Sequence, residues 1–282
     1  MIDFCHIAPT PHLNLTTDNG AHLLLAHLVE EDEQYVEYYA SLKDGKTKIL
    51  DNSAFERFKA GLDMYPSEKL IEMGKRVNAD IIVMSDYPKQ KSAVTIAAAR
   101  KLNEEFADYG FWSFFVPQSE LGDIEDYIQA VDWALDMPNI RLIGLSILGC
   151  PIALGLDESP SGARSDAYKM QRFLSRWRIL QILKERGILD HRAIKRFHCL
   201  GMVDGPNEIS LLEPYHEYIS SWDSSAAVWA GLNGISFDNS PTGLINGKYE
   251  KEVDFDCHIG DNRLLDMATY NINYINYLCN KT

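Results

Sequence analysis

Three aspartates and a glutamine stand where short apolar runs end. Asp51 closes Thr47-Lys48-Ile49-Leu50 and is followed by Asn52-Ser53-Ala54-Phe55; Asp223 closes Tyr218 to Trp222 and is followed by Ser224-Ser225-Ala226-Ala227. Asp86 follows Ile81 to Ser85, and Gln118 follows Phe114-Phe115-Val116-Pro117. A carboxylate at the tip of a buried strand gives up hydration, so it needs a partner or a task. One conventional task is capping the helix that follows, and each aspartate taken alone fits that use. Another is to meet in one polar pocket at one rim of a sheet, where paired carboxylates can do acid–base chemistry.

The elements that would position these residues alternate in type along the whole chain. Strand patterns fall near 2–7, 47–51, 80–85, 111–116, 140–146, 194–200 and 218–223, with an eighth expected near 234–238 or 252–256. Helical patterns fall near 21–42, 66–77, 91–108, 122–136, 169–186, 206–213 and 261–279. About eight βα units in about 250 residues is the size of a closed (β/α)8 barrel. The expectation is therefore an α/β chain forming a single TIM-type barrel domain over 1–282. An open doubly wound sheet would call for a glycine-rich phosphate loop, and neither GxGxxG nor GxxxxGK occurs. In a barrel, functional groups come from the C-terminal ends of several strands, which is where the four polar residues lie. Two long connections, 147–168 and 238–251, are expected to be rim loops that cover substrate.

Composition narrows the function classes. A chain of 282 residues with 46% hydrophobic content can bury a real core. Its five cysteines, at 5, 150, 199, 257 and 279, form no CxxC or CxC pair, which argues against a disulfide framework or a zinc cage. No basic stretch followed by an apolar segment opens the chain, and no run of 18 apolar residues occurs. The protein is expected to be cytoplasmic, with no membrane partner, no metal and no cofactor. His22 and His27 share an expected helix at a spacing of five, which does not align two ligands on one face. The formal charge of -14 weighs against nucleic acid, yet Arg164, Lys169, Arg172, Arg176 and Arg178 cluster against the single Asp166. That cluster reads equally well as the solvated face of an amphipathic helix. Tyr270, Tyr274 and Tyr277 in the last helical stretch read as core or an interface.

Taken in order, the strand-end segments resemble the motif series of the tRNA-guanine transglycosylase family, whose fold is a (β/α)8 barrel. Ile49-Leu50-Asp51-Asn52-Ser53-Ala54-Phe55-Glu56 resembles its Leu-Thr-Asp-Ser-Gly-Gly-Phe-Gln, and Met84-Ser85-Asp86-Tyr87-Pro88 resembles its Phe-Asp-Glu-Cys-Thr-Pro. Phe115-Val116-Pro117-Gln118-Ser119 resembles Ile-Val-Gln-Gly-Gly, and Leu142-Ile143-Gly144-Leu145-Ser146 resembles Ile-Gly-Gly-Leu-Ser. His198 to Val203 is similar to Tyr-Leu-Met-Gly-Val-Gly, and Ser221-Trp222-Asp223-Ser224-Ser225 falls where the family has Met-Phe-Asp-Cys-Val. The six segments keep the family order across residues 49–225, about two thirds of the chain.

The resemblance implies a mechanism. Asp223 matches the nucleophile that expels guanine and holds the sugar covalently, and Asp51 matches the general acid and base. Asp86 matches the acceptor of guanine N1 and amino hydrogens, while Gln118 and the backbone N–H of Gly144 match donors to O6. Phe55 matches the aromatic that stacks on the base, Leu145 a backbone contact near the 7-substituent, and Leu200 and Gly201 complete the implied substrate-binding set. These residue types are also sensible by themselves, because a carboxylate facing two donors and an amide facing a carbonyl tell guanine from adenine.

The departures are as informative. The family's Cys-x-Cys-x-x-Cys zinc module is missing, and Ala226-Ala227-Val228-Trp229-Ala230-Gly231 stands where tRNA-modifying members carry Pro-Thr-Arg. A shortened, zinc-free barrel is most similar to the DNA-guanine transglycosylases of bacteriophages and bacteria, the DpdA group. That implies exchange of guanine in DNA for a free 7-deazaguanine base, with the target flipped out or single-stranded, in the bacterial cytoplasm or that of a phage host. Arg164, Lys169, Arg172, Arg176 and Arg178 are then the candidates for phosphate contact. Competing readings are a tRNA substrate, a retaining N-glycoside hydrolase or nucleoside transferase acting on a small molecule, and a non-catalytic DNA-binding barrel. Oligomeric state is open.

Overall fold

Short strands whose residues are buried on both faces need helices on one side and a packed interior on the other, which is the economy of a parallel barrel. The computed structural model describes residues 1–156, 165–202, 205–238 and 253–281, apart from the side chains of 102–109. Its strands are β1 (Asp3–His6), β2 (His22–Leu25), β3 (Lys48–Asp51), β4 (Ile81–Val83), β5 (Trp112–Phe115), β6 (Ile140–Ser146), β7 (Phe197–Leu200) and β8 (Ile219–Ser224). They form one sheet in the order β1-β8-β7-β6-β5-β4-β3-β2, and every pairing is parallel. Helices α1 (Ala26–Glu31), α2 (Glu33–Ser41), α3 (Ala54–Ala60), α4 (Ser67–Val77), α5 (Ser92–Tyr109) and α6 (Ile124–Asp136) lie between the first six strands. Helices α7 (Gly149–Ala153), α8 (Asp166–Phe173), α9 (Ser175–Glu185), α10 (Asn207–Leu211), α11 (Ala226–Leu232) and α12 (Asn262–Asn280) follow. The arrangement is the expected (β/α)8 TIM-type α/β fold.

The sheet comes round on itself at the β1/β2 seam, where side-chain bonds stand in for a regular ladder. Asn19, 2% exposed, accepts from His6 N at 3.1 Å and donates to His6 O at 3.0 Å, and Gly20 N donates to Phe4 O at 3.0 Å. A Cβ at Gly20 would sit 2.8 Å from Asp3 Cα, so only glycine lets the two segments approach.

Residues 22–25 were expected to open a helix over 21–42 but form β2, buried at all four positions. Leucine favours helix, yet the Leu-Leu-Leu run pairs with β3, Leu25 opposite Asp51, and that burial outweighs a propensity worth about 0.7 kcal/mol per residue at most. Conversely, neither stretch expected as the eighth strand forms one among the described residues 234–238 and 253–256. Asn271 of α12 takes up the backbone of the first instead, accepting from Phe237 N and donating to Ile235 O. Of the two expected rim loops, the first is partly helical, as α7 and the start of α8; residues 157–164 and 239–252 lie outside the described residues. No helix among the described residues is long and apolar enough to cross a membrane.

The helix after β8 is held by an unusually close crossing. A Cβ at Gly231 would lie 2.3 Å from Ala268 Cα, so α11 seats directly on the backbone of α12. Asn271, fully buried, ties the same pair by donating to Ala227 O at 3.1 Å.

Candidate active site

Because every strand runs the same way, the polar strand ends meet at one rim. Asp51 ends β3, Leu200 ends β7, Asp223 is next to last in β8, and Asp86 and Gln118 come three residues after β4 and β5. A cavity of about 730 Å³ opens there, within the span usual for small-ligand sites. Asp51, Asp86, Asp223, Phe55, Leu200 and Gly201 all line it. None of the three aspartates caps a helix: α3 starts after Ser53, Ser92 at the start of α5 is bonded by Asp126, and Ser224 Oγ accepts from Ala226 N ahead of α11.

Asp223 is held through one oxygen. Its Oδ1 accepts from His198 Nε2 at 3.0 Å and from Gly201 N at 3.1 Å, while Oδ2 has no hydrogen-bond partner among the described residues. His198 is fully buried on β7, with Phe114 edge-on at 5.2 Å and Ser221 Oγ 2.7 Å from Nδ1. Gly201 takes φ 71°, a conformation that favours glycine.

Asp51 sits among like charges. Burial pushes its carboxyl well above the usual carboxylate range, and neighbouring Glu56, Asp223 and Asp86 push the same way; the Ser53 N–H, 2.8 Å from Oδ2, opposes them. Glu56 is itself raised, chiefly by burial and further by Asp223. Ser53 holds this turn with φ 55°, and its Oγ sits 2.9 Å from His27 Nδ1.

Asp86 is 2% exposed and clamped by two amides. Asn52 Nδ2 donates to its Oδ1 at 2.7 Å and to Met84 O at 2.6 Å, and Gln118 Nε2 donates to its Oδ2. Burial nevertheless raises Asp86 to about 6, with both amides pulling the other way. Gln118 therefore stands behind Asp86, outside the cavity lining, with its Oε1 buried and without a hydrogen-bond partner among the described residues. Gly144 and Leu145 also lie in the wall and not on its surface. A Cβ on Gly144 would come within 2.8 Å of Leu200 Cδ1 and 2.9 Å of Phe114 Cε2, and Leu145 is fully buried. Phe55 is the opposite case: 37% exposed at the mouth, with Lys59 Nζ 4.9 Å from its ring centre.

The basic cluster divides. Arg176 is fully buried, paired with Glu208 Oε1 at 3.1 Å, over the Trp222 ring at 5.1 Å, and donating to Gly201 O at 2.7 Å. That corrects its expected role: a guanidinium in the core cannot reach a phosphate. Arg172 lines the cavity, Lys169 is half-buried on α8, and exposed Arg178 donates to Gln181 Oε1 at 2.9 Å. Arg164 lies outside the described residues.

Sequence reading passed over three residues that the fold brings to this rim: His198, Asn52 and Glu56. Glu56 and Asn52 carry a weak signal, one acidic and one amide within five positions of Asp51. His198 had a better one, since β7 faces the Ser221/Asp223 alternation of β8, two positions apart on one face. Among the described residues, no group of three His, Cys, Asp or Glu side chains has the geometry to hold a metal ion.

Comparison with known proteins leaves the reading of this site to its own geometry. No family model matches the chain, and no curated protein matches it. Among solved structures it is similar to a Coccidioides immitis protein put forward as a fructose-1,6-biphosphate aldolase. The identity is 11% over 99% of this chain and 88% of that one, with a TM-score of 0.45. At that distance the likeness carries no argument.

Proposed function

We propose that the protein exchanges the base of a guanine nucleoside by double displacement, with DNA as the polymer that carries the guanine and a free 7-deazaguanine as the entering base. The observation that carries this reading is the contrast within one cavity: Asp51 is raised among like charges, and Asp223 is held at Oδ1 by two donors. Two carboxylates in unlike environments are what an acid and a nucleophile require. Asp223 Oδ2 forms a bond to C1′ as the C1′–N bond breaks. The bonding pair goes to the base nitrogen, which takes the Asp51 proton. The entering base then returns a proton to Asp51 while its nitrogen displaces Asp223, so configuration is retained overall. Asp86 in the cavity lining supplies an acceptor for the base's N–H groups, and Phe55 a face at the mouth.

A second reading, transfer or hydrolysis of a small guanine nucleoside, is favoured by the loss of Arg176 from the basic cluster and by the net charge of -14. One assay separates the two. Incubate base-labelled guanine in DNA, in tRNA and as a free nucleoside with native protein and Asp223→Ala, in the presence of 7-deazaguanines. Release from DNA by native protein alone, steeply weakened by salt, supports the first reading. Release from the nucleoside alone supports the second, and no release from any substrate, or equal release by Asp223→Ala, rejects both.

A further inference from the structure

We propose that His198 is a positioning residue for the Asp223 carboxylate: its Nε2–H, acting with the Gly201 N–H, fixes Oδ1 so that Oδ2 is the oxygen presented to the anomeric carbon. The inference rests on the reading of Asp223 as nucleophile and names the device that prepares it.

Three features carry it. His198 is fully buried on β7, 3.0 Å from Asp223 and 2.7 Å from Ser221, so one ring spans two polar side chains on one face of β8. An imidazole in that place is costly unless both ring nitrogens are used, and an ordinary core residue could fill the volume beside Phe114. A carboxylate only accepts, so Nε2 carries the hydrogen and Nδ1 is left facing the Ser221 hydroxyl. The second donor is pinned from behind. Gly201 O receives Arg176 Nη2 at 2.7 Å and Trp222 Nε1 at 2.8 Å, and Arg176 is anchored by Glu208. Peptide and ring thus converge on a single oxygen, and neither can turn away without breaking buried bonds.

The chemical consequence follows from where charge sits. When Oδ2 bonds C1′, Oδ1 becomes the carbonyl oxygen of a glycosyl ester and keeps both hydrogen bonds. When the entering base displaces Asp223, negative charge returns to the carboxylate, and the same two donors receive it. The clamp therefore aims Oδ2 for attack in the first half of the exchange, which base release reads, and favours departure of Asp223 in the second.

Two measurements test this. In single-turnover base release, His198→Phe keeps the ring and removes the donor, and His198→Gln restores an N–H. The expected result is a loss of about 10- to 100-fold in rate for His198→Phe with KM little changed, and partial recovery in His198→Gln. A folded His198→Phe, with native near-ultraviolet circular dichroism, that turns over within about threefold of native while Asp223→Asn is inactive would overturn the inference and leave the functional reading standing. If Asp223→Asn releases base as well as native protein, the functional reading is what fails. Independently of any substrate, ¹⁵N shifts of the histidine rings should show His198 protonated at Nε2, with a shift change in Asp223→Asn. A hydrogen confined to Nδ1 would refute the clamp.

Discussion

Asp51 and Asp223 are the same residue type at the same rim, and their surroundings make them different groups. Asp51 ends β3 beside Glu56, with a single backbone donor at Oδ2 and a carboxyl pushed upward by burial and by negative neighbours. Asp223 stands near the end of β8 with two donors on one oxygen, a buried histidine among them. The lesson is that a barrel assigns chemical roles through what flanks each strand end. A raised carboxyl is suited to carry a proton, and a clamped one to point an oxygen.

Replacing Asp223 by Ala should have the largest effect, lowering base release by about 10⁴-fold or more, because it removes the proposed nucleophile and with it the covalent step. Single-turnover assays with trapping of the glycosyl-protein by mass spectrometry would show it. Asp51→Asn should lower release by about 10²- to 10⁴-fold, and least for a substrate whose leaving base needs no proton. That selective sparing is the sharper readout, since loss of folding would depress all substrates alike.

Glu56→Gln should change the pH profile more than the maximal rate. Native release requires protonated Asp51 and so falls as pH rises through its elevated pKa. Removing the Glu56 charge stabilises ionised Asp51, and the alkaline fall should move to lower pH. An unmoved profile would break the comparison, because Asp51 would then not sense its neighbour.

The smallest effect concerns stability. Asp86 is raised from 3.8 to about 6, so its stabilising contribution is full below pH 3.8 and lost as pH rises through about 6. In Asp86→Asn, the free energy of unfolding should vary less with pH across that interval than in native protein. Urea melts at several pH values would check this, and an identical pH dependence in both proteins would contradict the assignment.

Much of the barrel could be read in advance because its signals are local. Apolar runs ending in Asp51, Asp86 and Asp223 mark strands and their polar ends, and α4, α5, α6 and α12 carry helical periodicity over eleven residues or more. β2 escaped because three leucines between a histidine and an alanine look helical until a neighbouring strand is present to pair with them. Arg176 escaped for a similar reason. Its neighbours Arg172 and Arg178 made a cationic surface look plausible, yet Glu208, Trp222 and Gly201, all distant in sequence, draw it into the core.

The sequence by itself determined the repeating βα order and which strand ends are polar, since periodicity and side-chain polarity are properties of short windows. Tertiary structure alone decided which polar groups meet. The two amides on Asp86 and the two donors on Asp223 come from residues 22 to 34 positions away in sequence, and Asp223 and Asp86 bring like charge to Asp51 from further still. Hydrogen bonds and desolvation act through space, so the role of each carboxylate exists only after the barrel has brought its ends together.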